Sequence, residues 1–195
     1  MHYFGTSCPL NGIINDNDMT EAEEINIIRH TLDGDTDAFS ALVREYQNPL
    51  IRMLATILHD NQRFAEDVAQ DVLVEAFSRL NTFDPARSKF STWLFMIARS
   101  RGINALNRKR PALFSEPPEI PQEHRIVEHR GDFSVLDKAL HQLPAKQKRA
   151  FTLVALQELS LTEVAQIEAT TIGTIKSRLS RARAYLRTSL ETANR

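Results

Sequence analysis

One cysteine, Cys8, stands in a chain of 195 residues. A single thiol closes no intrachain disulfide and builds no cysteine metal site, so the expectation is a protein of the reducing cytoplasm. Glycine occurs six times and is nowhere gathered into a phosphate-cradling loop. No apolar run approaches the ~20 residues that span a bilayer, and the opening MHYFGTSCPLNG lacks the basic start and apolar core of a signal peptide. Membrane insertion is therefore not expected. The six histidines are scattered, and no Ser–His–Asp spacing can be built from them. An all-helical enzyme has little support, and neither a catalytic residue, a cofactor nor a metal is expected.

Net charge gives no lead at −1, but the charges are segregated along the chain. The segment 1–19 has no stable period and reads as a loose extension. From Thr20 the pattern is helical. Thr20-Glu-Ala-Glu23 has the form of a capping box, with Ile25, Ile28 and Leu32 at helix spacing behind it. A second helix begins near Asp35 or Asp37, with Pro49 accommodated near a helix start. A third runs from Gln62 to Leu80, and a fourth from about Ser91 to Lys109, ended by Pro111. No stretch alternates long enough for a strand. The fold class is all-α, two small helical domains over 20–110 and 133–195. Joining them is the segment 111–132, where Pro111, Pro117, Pro118 and Pro121 fall within eleven residues and acids outnumber bases. Such a stretch stays extended and cannot build a core.

In the second domain, Ser160-Leu-Thr-Glu163 starts a short helix, Ala169-Thr170-Thr171 makes a turn, and a longer helix carries Ile172, Ile175, Leu179, Ala182 and Leu186 inward. This is a helix-turn-helix arrangement. Between Ala169 and Leu190 stand five cations, Lys176, Arg178, Arg181, Arg183 and Arg187, and no acid. A solvated surface helix would intersperse acids with its bases, so duplex DNA is the favoured partner. Thr170, Thr171 and Thr174 sit where free backbone N–H groups approach phosphates, and Lys176, Ser177, Arg178 and Arg181 can reach a major groove.

The run LPAKQKRAF…LSLTEVAQIEATTIGTIKSRLSRARAYL is similar to the C-terminal domain of extracytoplasmic-function (ECF) sigma factors of bacterial RNA polymerase, across roughly residues 136–190. The resemblance implies that this domain binds the −35 promoter element. Two departures stand at the turn. Glu168-Ala169 replaces a common Leu-Gly, and Thr171 a frequent Pro. Without the glycine, a left-handed residue in the turn carries a Cβ penalty.

The first domain has an acidic helix, on which Asp67, Asp71 and Glu75 are spaced four apart. Two readings are open for it, a solvated face and an acidic docking surface. Next come Phe90 and Trp93, followed from Arg99 to Arg110 by five cations without an acid. Rings before cations suit single-stranded nucleic acid, although a lone tryptophan is more often core. The pieces GDTDAFSALVREYQNPL, AEDVAQDVLVEAF and TFDPARSKFSTWLFMIARSRGINALNRKR resemble the same family over residues 34–110. By position, the resemblance puts Asp67, Gln70, Asp71 and Val74 on the helix that docks on polymerase. It places a flipped base in the loop from about Asn81 to Ser91, and Ser100, Arg101, Asn104 and Arg108 on the helix facing the −10 element. Ser100 stands where Asn is common, and Asn104 where Asp is common. The implied partners are RNA polymerase core, promoter DNA and an anti-sigma factor, and the acidic linker would thread the polymerase's RNA-exit path. The rival is a stand-alone helix-turn-helix regulator. It leaves the aromatic-then-basic segment and the acidic helix without work.

Overall fold

A computed structural model describes residues 19–113 and 133–193. The readings made for residues 1–18, Cys8 among them, and for 114–132 of the linker lie outside the described residues. Every regular element among those described is helical.

Helix α1 (Glu21–Leu32) starts at Thr20 with a complete capping box. The Thr20 hydroxyl accepts from the Glu23 N–H at 3.3 Å, and the Glu23 carboxylate accepts from the Thr20 N–H at 2.8 Å. Gly34, at φ +110°, turns the chain out of α1 in a conformation that favours glycine. A 3-10 turn at Thr36–Ala38 leads into α2 (Phe39–Ile57). This helix runs unbroken through Pro49, which the sequence placed near a helix start. An interior proline costs about 3 kcal/mol or more; full burial of Leu42, Leu50, Met53 and Leu54 opposes that cost.

Asn61 caps α3 (Gln62–Ser78) by accepting from the Phe64 N–H at 3.1 Å. The long α4 (Phe90–Leu113) extends past Pro111 rather than stopping at Lys109. Its inner face crosses α2 closely because residue 102 is glycine. A Cβ there would stand 2.9 Å from Leu54 Cδ2 and 3.1 Å from Ile57 Cδ1.

The second half contains α5 (Phe133–Gln142), α6 (Ala145–Phe151), a π turn at Thr152–Leu156, α7 (Leu161–Ile167) and α8 (Ile172–Ala193). Ile175, Leu179, Ala182 and Leu186 of α8 are buried, as the helix spacing predicts, but Ile172, read as inward with them, is 40% exposed at the first turn of the helix. The halves touch directly, α7 on α4 and α6 on α2. Charged pairs cross between them: Lys148 to Asp60 at 2.6 Å, Lys89 to Glu163 at 3.4 Å and Arg99 to Glu168 at 3.9 Å. Arg99 Nε and Glu163 Oε1 are nevertheless buried without a hydrogen bond.

Candidate nucleic-acid interface

Ser160 starts α7 with a second reciprocal capping box, its hydroxyl accepting from the Glu163 N–H at 3.2 Å and its N–H donating to the Glu163 carboxylate at 2.7 Å. After α7 the chain turns through Ala169 at φ +48°. The glycine missing from the sequence is missing at a position that is left-handed, where a Cβ costs about 1–2 kcal/mol. Thr171 opens α8. Its hydroxyl accepts from the Thr174 N–H at 3.2 Å and lies 3.0 Å from the Thr174 hydroxyl. One amide offered to phosphate by the sequence reading is thus already capped. Thr171, Lys176, Ser177 and Arg181 are exposed, and Thr170 and Thr174 are half-buried. Thr174, Ser177 and Arg181, three and four apart, share one outward face.

Arg178 departs from the expectation. Its side chain is only 18% exposed and donates to Glu168 at 3.1 Å. Glu168, 2% exposed, accepts both Nε and Nη2 of Arg149 at 2.6 and 3.0 Å. Counting cations from Ala169 onward stops one residue short of this acid. The available signal was Glu168 itself, the one acid between the apolar end of α7 and the cations of α8.

On α4 the outward residues are Ser100, Asn104 and Arg108, all exposed and four apart, with the half-buried Arg101 beside them. Arg101 is ion-paired through its Nε with Glu75, which also accepts from Arg79 at 2.9 Å. Burial pushes the Glu75 carboxyl upward, but Arg101 and Arg79 together hold it below the usual carboxylate range.

Phe90 is a correction. At 2% exposure its ring cannot meet a base. It packs instead among Tyr46, Phe83 and Trp93, with ring centres 5.4, 5.6 and 5.7 Å away. Trp93 is half-buried and lies 5.6 Å from Phe83. It is therefore a core-anchored ring with part of its surface open. The loop leading to it is exposed from Asp84 to Arg87 and is shaped by Asp84, whose carboxylate accepts from the Ala86 N–H at 2.9 Å.

The acidic edge of α3 divides. Glu75 faces α4, whereas Asp67, Gln70 and Asp71 are exposed, and among the described residues neither aspartate forms an ion pair. Val74 continues this stripe at 67% exposure, and Phe77, 40% exposed, extends it while stacking edge-on to Phe39 at 5.2 Å. Phe77 escaped the sequence reading because its i, i+3 relation to Val74 matters only once Val74 is seen outside the core.

No group of three or more metal-ligating side chains and no helix fit to cross a membrane occurs among the described residues. Two family models match the chain, Sigma-70 region 2 over residues 42–111 and Sigma-70, region 4 over residues 134–186. The chain is 30% identical over 179 residues to the ECF RNA polymerase sigma factor SigW of Bacillus subtilis (strain 168), covering 84% of this chain and 94% of that one. It is 33% identical over 127 residues to the ECF RNA polymerase sigma factor RpoE of Cereibacter sphaeroides, covering 63% and 70%. Among solved structures, the sigma factor RpoE of Bartonella quintana, crystallised with the anti-sigma factor NepR, superposes with a TM-score of 0.66 at 29% identity, covering 78% of this chain and 96% of that one. With both sigma regions in order along one chain and the likeness to SigW running over most of both sequences, the chain belongs to the ECF sigma factors, the subunits that direct RNA polymerase to promoters.

Proposed function

We propose a division of labour among three surfaces of this sigma factor. The stripe of Asp67, Gln70, Asp71 and Val74 docks on polymerase core. Ser100, Arg101, Asn104 and Arg108 of α4 meet the −10 element, with the open part of Trp93 beside the incoming strand. Thr170 and Thr171 of the turn and Thr174, Lys176, Ser177 and Arg181 of α8 grip the −35 duplex. The observation that carries this reading is the separation of charge by surface. Among the described residues Asp67 and Asp71 form no ion pair and share the outer edge of α3 with the exposed Val74, while exposed cations collect on α8, and α4 adds Arg108 and the half-buried Arg101. Unstacking a base costs a few kcal/mol, so stacking and phosphate contacts must stand ready before the strands part. Polymerase supplies all bond-making, and the chain itself performs no catalysis.

The domains are assigned as 20–110 and 133–195, with 111–132 as the linker, whose first three residues continue α4, and 1–19 as an extension, and the protein acts in the cytoplasm. An anti-sigma factor belongs among its partners, as the similar Bartonella structure has one. The deciding experiment is run-off transcription from a genomic promoter library with core enzyme. Site-specific transcripts should appear only with the chain present, and Asp67→Lys/Asp71→Lys should abolish them while leaving the fold intact. Site-specific RNA undiminished by that double change would overturn the docking assignment.

A further inference from the structure

The cation count of α8 includes one arginine that the fold takes out of play. Ile175, Leu179 and Ala182 face the core, and position 178 lies three residues from 175 and four from 182, at the edge of that buried face. There Arg178 donates to Glu168 Oε2 at 3.1 Å, and Arg149 of α6 holds both oxygens of the same carboxylate. The carboxylate follows directly on α7. A single buried acid therefore ties α6, the end of α7 and α8 to one point.

Its neighbour Ala169 has the left-handed φ of +48° without a glycine's freedom. The turn between the two helices is thus kept by charge-assisted hydrogen bonds to the residue before it. A DNA phosphate that drew Arg178 away would remove a donor from a carboxylate already withdrawn from water, which opposes the exchange.

We infer that Arg149, Glu168 and Arg178 form a positioning cluster that sets the rotation of α8 in its seat, so that Arg178 serves −35 recognition through the aim of Ser177 and Arg181 and not by touching DNA. This rests on the assignment of α8 to the −35 duplex. Thr174, Ser177 and Arg181 share the outward face, and a small rotation of α8 would carry all three off their targets together.

The test uses holoenzyme assembled with core polymerase, promoter binding measured across a salt series, and a library of −35 variants. Arg181→Ala, a direct phosphate or base contact, should lower the slope of log affinity against log salt by about 1. Arg178→Ala should weaken discrimination at several −35 positions at once and leave that slope unchanged. Glu168→Gln should reproduce the pattern, the double variant should be no worse than the weaker single, and Arg178→Lys should recover part of the loss. Arg178→Lys and Glu168→Gln also carry the test if Arg178→Ala fails to fold. A slope drop for Arg178→Ala equal to that of Arg181→Ala, or additive effects of the two cluster variants, overturns the inference. So does a loss of folded protein with −35 preference intact. If instead no α8 variant, Lys176→Ala included, alters −35 preference, the assignment of α8 fails.

Discussion

Both halves of the molecule build the same device, and they build it at different depths. In the first, Glu75 of α3 holds Arg101 of α4; in the second, Glu168 at the end of α7 holds Arg178 of α8. The arginine of the first pair is 43% exposed and its acid 17%, against 18% and 2% in the second. Arg101 keeps much of its surface toward solvent and can exchange its carboxylate for phosphate. Arg178 is enclosed together with Arg149, so its charge belongs to the fold. The number of cations on a helix therefore does not measure the charge it offers a partner. Burial of the nearest acid decides.

The contrast breaks most readily at Glu168. Glu168→Ala should cost about 3–5 kcal/mol of unfolding free energy, because it strands the Arg149 guanidinium in the interior; denaturant titration gives the value, and a loss below that of Glu75→Ala would erase the distinction between the pairs. Next in size is Ala169→Gly, which relieves the left-handed Cβ and should stabilise by about 1 kcal/mol. The same titration reads it, and a destabilised variant would mean that the turn is not strained.

Glu75→Gln should cost less than about 1 kcal/mol, as partly exposed ion pairs do. Its sign with pH is informative. The Glu75 carboxyl is held below its unfolded value, so its contribution is present above about pH 4.3 and is lost as pH falls through the folded value. The gap between wild type and Glu75→Gln should close on acidification.

Glu24 should give a small change of opposite trend. Burial raises its carboxyl, against the hydrogen bond from the Tyr46 hydroxyl that lowers it. Its contribution is present below about pH 4.3 and lost as pH rises through the folded value. Glu24→Gln should therefore stabilise slightly at pH 7 and do nothing at pH 4. Melting curves at the two pH values check both acids, and parallel trends would show that the carboxylates share one environment.

Much of this architecture was legible from residue spacing. The capping boxes at Thr20 and Ser160, the inward stripe of α8 and the helix-turn-helix all follow from local chemistry, which sequence states directly. The misses have a common cause. Phe90, Glu168 and Arg178 are residues whose neighbours come from other helices, so their burial depends on packing that no local period reports. Proline removes a donor, so Pro49 and Pro111 suggest helix boundaries, yet α2 and α4 both run through them. Tertiary burial along α2 overrode that cost at Pro49.

The missing side chain at Gly102 has a wider reach than its size suggests. With α2 and α4 in contact at that point, the helix axis of α4 is set by two ends of apolar side chains, those of Leu54 and Ile57. A methyl group there would meet only the outer carbons of those two side chains, which would have to turn aside for α4 to keep its seat. The seat of Ser100, Arg101 and Asn104 thus depends on how far two core side chains can yield.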